Sequence, residues 1–255
     1  MTTRTQTTGM LRSAHHLLGY HCQATDGELG KVKDMLIDDL TWSVRYFVVN
    51  AGNWLVGRKV LLSPVSLGTP NWMAQTLPVR LTKQQVEDSP PLEYDQPVSR
   101  QLEHSVATYY GWPIYWGGPA TATMAIPVMQ EEALRREAHS VDEEGDAHLR
   151  SLKEIIGYHL LARDGEIGHI DDLIVSDAEW TTRYVVVDTR NWLPGRKVLV
   201  APHWFVGIDW SARSVAVDLD KERIKNSPPY EPEAPVNRGY EERLYDFYGR
   251  PAYWL

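Results

Sequence analysis

Asp26-Gly27-Glu28-Leu29-Gly30 returns 138 positions later as Asp164-Gly165-Glu166-Ile167-Gly168, and that recurrence decides how the chain is read. Working outward, Leu17-Leu18-Gly19-Tyr20-His21 answers Ile155-Ile156-Gly157-Tyr158-His159 at the same offset. Arg45-Tyr46-Phe47-Val48-Val49 answers Arg183-Tyr184-Val185-Val186-Val187, and Gly57-Arg58-Lys59-Val60-Leu61 answers Gly195-Arg196-Lys197-Val198-Leu199. Matches of this length, in one order and without a gap, mark a tandem duplication. The copies are 11–116 and 149–254, and 117–148 joins them as a flexible acidic linker.

Within a copy the signals are those of strands. Asp-Gly between two apolar runs favours a tight hairpin, which places strands at 17–24 and 29–37. The run 45–49 is β-branched and aromatic on both faces, as in a strand that is covered on both sides or closes a small barrel. Further strands are expected at 59–62 and 76–81. A short helix follows, started by a capping box at Thr82-Lys83-Gln84-Gln85 and by Asp220 in the second copy. Ser89-Pro90-Pro91 and Ser227-Pro228-Pro229 stop it. A second helix is expected over 102–110 and 240–248, each ending at a glycine, Gly111 or Gly249. The fold class is therefore all-β: two small barrels in tandem, each with a short helical C-terminal extension.

Composition narrows the function classes. The chain has 255 residues, 43% hydrophobic and 24% charged, with a net charge of −8. That charge argues against nucleic acid, whose binding draws on a basic face. Apolar runs are far shorter than a bilayer span requires, and 1–9 lacks the apolar core of a secretory leader. Cys22 is the single cysteine, and its counterpart is Leu160. It reads as a buried side chain in a reducing compartment, so a cytoplasmic protein is expected.

The second copy also serves as an internal control on candidate sites. His15 and His16 become Lys153 and Glu154, and Ser63 becomes Ala201, so neither a duplicated histidine metal site nor a duplicated serine site is expected. Asp26 and Glu28 lack the run of oxygen ligands that calcium needs, and Asp34, Asp39, Asp172 and Asp177 read as a solvated turn. His139 and His148 lie in the acidic linker, where a solubilising role is expected. No catalytic residue, metal site or cofactor is expected, and an enzyme is not. Tryptophan stands out: the chain has ten, and Trp42, Trp54, Trp72 and Trp116 recur as Trp180, Trp192, Trp210 and Trp254. Most suit the core of a small barrel. Trp54 with Arg58, and Trp192 with Arg196, are the partner-binding candidates, because Trp and Arg are enriched where partners bind.

At the Gly-Tyr, Asp-Gly-Glu-[Leu/Ile]-Gly, Arg-Tyr-[Phe/Val]-Val-Val and Gly-Arg-Lys-Val-Leu segments the chain resembles the PRC-barrel family, over 11–88 and 149–226. That family includes the cytoplasmic domain of the photosynthetic reaction-centre H subunit and the C-terminal domain of a bacterial ribosome-maturation factor. The resemblance implies small, partly open barrels that serve protein–protein contacts, hence an interaction or scaffold module with protein partners. Pseudo-symmetric pairing of the two repeats, or a homo-oligomer, is a further expectation. The alternatives are a small-molecule binder or enzyme with a site between the barrels, and an accessory to a photosynthetic or other membrane complex.

Overall fold

The computed structural model describes residues 9–52, 55, 57–91, 98–115, 148–189 and 196–254. The protein is largely β, with two sheets and few, short helices. No helix among the described residues is long and apolar enough to cross a membrane. The chain opens with β1 (Leu11–Ser13) and a one-turn helix, α1 (Ala14–Leu17). There follow β2 (His21–Ala24), β3 (Gly27–Asp38), β4 (Val44–Asn50), β5 (Lys59–Leu62) and β6 (Thr76–Pro78). Helices α2 (Lys83–Glu87) and α3 (Arg100–Tyr110) end the first repeat. The second repeat repeats the order: β7 (Leu149–Ser151), α4 (Leu152–Ile155), β8 (His159–Ala162), β9 (Gly165–Ser176), β10 (Thr182–Asp188) and β11 (Lys197–Val200). It adds β12 (Phe205–Asp209), β13 (Ser214–Val217), α5 (Lys221–Lys225) and α6 (Arg238–Tyr248).

One sheet runs β5-β4-β3-β2-β6 and the other β11-β10-β9-β8-β13-β12. Neighbours are antiparallel except for β2–β6 and β8–β13, which are parallel. The hairpin expected at Asp-Gly is present one residue earlier: Ala24 pairs with Gly27, and Ala162 with Gly165, leaving Thr25-Asp26 and Arg163-Asp164 as the two loop residues. The aspartate is thereby free to turn outward. Asp26 Oδ1 accepts from Lys83 N at 2.8 Å and Asp164 Oδ1 from Lys221 N at 2.9 Å, so each turn caps the short helix of its own repeat. The last glycine of the motif answers a different need. At Gly30, φ is +135° and a Cβ would stand 1.9 Å from Asn50 O; at Gly168 the distance to Asp188 O would be 2.1 Å. Only glycine lets β3 and β9 pass that close to the neighbouring strand.

Bulges recur at matching places, after Cys22 and Leu160 and beside Asp34 and Asp172, and they bend each long strand. Burial on β4 is two-sided, as expected. Tyr46 and Val48 pack with Leu36, Leu61, Val98 and Leu149 on one face, with Leu102 of α3 and Trp112 against them. Phe47 and Val49 point the other way and have no exposed surface, like Met35, Ile37, Leu62 and Leu77. Burying each such side chain contributes about 1.5–3 kcal/mol, which is how short strands hold together without disulfides.

Three local expectations change. The stretch 17–24 is not one strand: Gly19, at φ +88°, breaks it between α1 and β2. The strand expected at 76–81 is only Thr76–Pro78, because the chain then turns toward the Thr82 cap. Asp220 sits at the N-cap of α5 without a side-chain bond to it, while Thr82 and Gln85 form the full capping box. The repeats also diverge after the fifth strand of each. Where the second builds the β12–β13 hairpin, the first has Pro70, which has no N–H for a ladder, and keeps only isolated bridges.

The compact units do not follow the repeat boundaries. One unit is Leu18–Arg150; the other joins Met1–Leu17 to Ser151–Leu255. Strand β1, from the first repeat, pairs with β9 of the second, and β7, from the start of the second, pairs with β3 of the first. Each repeat has handed over its N-terminal strand. The linker expected at 117–148 lies outside the described residues except for its last one, His148, which is buried.

Candidate functional site

Arg58 and Arg196 enter their sheets just ahead of β5 and β11, and both turn inward. Arg58 Nη1 donates to Glu87 O at 2.6 Å, and Nη2 donates to Ser89 O; Arg196 Nη2 donates to Ser227 O. Those carbonyls close the C-terminal ends of α2 and α5, where a cation meets the negative end of the helix dipole. Ser89 and Ser227 add hydroxyl bonds to Val86 O and Ile224 O. The Ser-Pro-Pro stops are therefore clamped by arginine. The Nε of each arginine is buried without a hydrogen-bond partner among the described residues. Trp54 and Trp192, the other half of each candidate pair, lie outside the described residues. Of the remaining repeated tryptophans, Trp42 and Trp180 are buried in left-handed turns at φ 57° and 53°. Trp72 and Trp210 lie beside Tyr20 and Tyr158.

A second duplicated constellation escaped the sequence reading. Glu103 on α3 and Glu241 on α6 are 0% and 3% exposed. Tyr115 donates to Glu103 Oε2 at 2.6 Å; Tyr253 and Tyr184 each donate to Glu241 Oε1 at 2.8 Å. Arg45 lies 3.8 Å over the Tyr115 ring and Arg183 4.2 Å over that of Tyr253. Arg100 and Arg238, one turn before each glutamate, complete the charge balance. Burial and the adjacent carboxylate push the Tyr115 and Tyr184 phenols up, so both stay protonated donors. In the first repeat alone, His148 Nε2 meets Glu103 Oε1 at 2.5 Å. This arrangement binds each helix and the tyrosine that follows it, Tyr115 or Tyr253, to the sheet rather than opening toward a substrate. Its signal was available: Arg45, Tyr46, Arg100, Glu103 and Tyr115 all recur unchanged at the 138 offset.

Two further groupings belong to the second repeat. His169, Asp171 and Asp188 bring three possible metal-ligand atoms within 4.8 Å of one another, because His169 and Asp188 are cross-strand partners and Asp171 sits on the bulge. Lys197 Nζ already lies 2.6 Å from Asp171, and the first repeat has Lys31, Lys33 and Asn50 there. A polar cleft of about 260 Å³ is lined by Arg163, Asp218, Arg223 and Arg250. Arg163 bonds Asp218 at 2.6 Å, and Arg223 donates to Tyr248 O at 2.8 Å. Cys22 is buried, and burial pushes its thiol up to about 12, so it is no nucleophile near neutral pH. The His21 and His159 rings each pair with a cross-strand carboxylate, Glu28 at 2.6 Å and Glu166 at 2.9 Å, on the exposed face of the hairpin.

Among the described residues, an apolar groove of about 330 Å³ is lined by the start of α6 and the segment before it. Pro228 and Pro229 form one wall, held by a bridge from Pro229 to Val198 at the edge of β11. Pro235 and Val236 face them. Tyr240 contributes its ring and donates its hydroxyl to Pro228 O at 3.1 Å, while Arg243 stands exposed at the rim, 5.9 Å from that ring. No family model and no curated protein matches this chain.

Proposed function

We propose that the chain is a protein–protein interaction module of two PRC-barrel-like domains, and that its second repeat seats an extended, proline-containing peptide in the groove of Tyr240. The groove carries the reading: among its prolines it sets the Tyr240 ring beside the exposed Arg243, with Glu231 also on its lining, and an aromatic ring in a groove is what extended proline-rich segments dock against. The barrel assignment is supported by the paired bulges, which curve each sheet, and by the parallel return of β6 onto β2 and of β13 onto β8. A cytoplasmic setting is part of the same proposal, consistent with a lone buried cysteine.

The test is selection of peptides from a random library on the purified chain, followed by titration against wild type and Arg243→Glu. Arg243 is exposed and outside the core, so its reversal leaves the fold intact. The expected result is enrichment of proline-containing peptides with an acidic flank, binding the variant several-fold more weakly at low salt, the difference shrinking as salt is added, as reversal of a charge at a binding rim implies. Failure to enrich any peptide, or equal binding to both proteins, would remove the groove from the proposal.

A further inference from the structure

The exchange of β1 and β7 uses the same residues twice. Leu11-Arg12-Ser13 lies antiparallel on β9 in the register Leu11–Ser176, Arg12–Val175, Ser13–Ile174. Its N-terminal end is fixed by Asp177, whose Oδ1 accepts from Met10 N at 2.7 Å and whose N–H donates to Met10 O at 3.0 Å. Arg12 Nε lies 3.5 Å from Asp177 Oδ2. At the C-terminal end of the strand, Ser13 donates its hydroxyl to Asp172, and beyond it His15 N donates to Asp172 Oδ1 at 2.9 Å. In the other unit, Asp39 N donates to His148 O at 3.0 Å and Arg150 Nε lies 3.4 Å from Asp39 Oδ2, while Leu149 joins the core cluster.

The two donor strands have one sequence, Leu-Arg-Ser, and the two accepting edges carry the same aspartates, Asp34 with Asp39 and Asp172 with Asp177. Each edge therefore pairs an arginine of its donor with an aspartate, Arg12 with Asp177 and Arg150 with Asp39, and β1 of a second copy would meet the same partners on the β9 edge. Nothing in the ladder marks the donor as belonging to the same chain. An exchange that conserves every contact is decided by connection and by local concentration alone. We propose that the 174–176 edge of β9 is an interface between copies of this chain, at which β1 of one molecule completes the sheet of another.

The test traps the pair. Leu11→Cys/Ser176→Cys, with Cys22→Ala to remove the native thiol, puts two cysteines directly across the β1–β9 ladder, within disulfide reach. The full chain is unfolded, refolded dilute and concentrated, oxidised, and run without reductant. The expected result is a monomer closed by an intrachain bond at low concentration, and disulfide-linked dimers whose share rises with concentration. Intrachain closure alone at every concentration overturns the proposal. Should that variant fail to refold, Arg12→Cys/Val175→Cys probes the next rung of the same ladder. The unmodified chain gives an independent reading by light scattering after concentrated refolding. Twice 29.1 kDa is expected, and a mass that stays at one chain refutes the exchange between molecules.

Discussion

Arg150, the middle residue of β7, places its guanidinium Nε 3.4 Å from the Asp39 carboxylate on the turn that leaves β3. The pair joins a strand donated by the second repeat to the sheet of the first. Asp39 is nevertheless pushed up to about 6, since burial outweighs the arginine and Asp38 adds repulsion.

The sign of the pH dependence follows from that direction. A carboxyl whose folded value lies above its unfolded one holds its proton more tightly when folded. Its stabilising contribution is complete below about pH 4 and is lost as pH rises through about 6. The loss amounts to roughly 2–3 kcal/mol at most. Denaturant midpoints of wild type and Asp39→Asn should thus diverge with pH, the wild type losing ground to the variant between pH 4 and 7. Arg150→Met should move the Asp39 titration higher still, read by carboxyl NMR. A titration unmoved by Arg150→Met would mean that the pair does not form in solution.

Glu103 is expected to be the most sensitive carboxylate in the first unit. Glu103→Ala removes the buried carboxylate that the Tyr115 hydroxyl and His148 both meet and should cost about 3–5 kcal/mol. Glu103→Gln keeps an acceptor and should cost less than half of that. Urea unfolding of both variants checks the order; equal losses would show that packing, not hydrogen bonding, fixes α3.

Two glycines separate close approach from backbone conformation. Gly30→Ala drives a methyl into Asn50 O and should destabilise by about 3 kcal/mol or more. Gly19→Ala also sits at positive φ, but with nothing within 4 Å of the new methyl, and should cost only about 1–2 kcal/mol. Melting temperatures in the reverse order would contradict the β3–β4 geometry.

Arg58→Met should lower the melting temperature, because it strips two donors from the carbonyls closing α2 at a cost of about 1–3 kcal/mol. Arg196→Met should do the same in the second repeat. An unchanged melting temperature would return both arginines to the solvent-facing role that Trp54-x-x-x-Arg58 suggests in sequence.

Legibility in the sequence followed the range of the interaction. The Thr82–Gln85 capping box, the left-handed stops at Gly111 and Gly249, and the two-sided strand at Tyr46–Val49 are local patterns, and each was readable from its neighbours. The hairpin was readable, but its register was not. Asp26 leaves the turn to cap a helix 57 residues away, and no local pattern carries that distance. Likewise, Arg58 reads as half of an exposed Trp–Arg pair until the Ser-Pro-Pro stop folds back across it.

The sequence by itself determined the duplication, by direct comparison of its halves, and the strand-rich character and helix-stopping glycines Gly111 and Gly249, which depend on residues a few places apart; the need for glycine at Gly30 and Gly168 comes from a carbonyl on the neighbouring strand. The tertiary structure alone decided which strand completes which sheet. Leu11-Arg12-Ser13 and Leu149-Arg150-Ser151 are identical, so the strands themselves do not distinguish an exchanged pairing from an unexchanged one; His148, just before β7, does, because it meets the buried Glu103 where the first copy has Met10. The choice lies in how the rest of the chain brings Asp39 to Arg150 and Asp177 to Arg12.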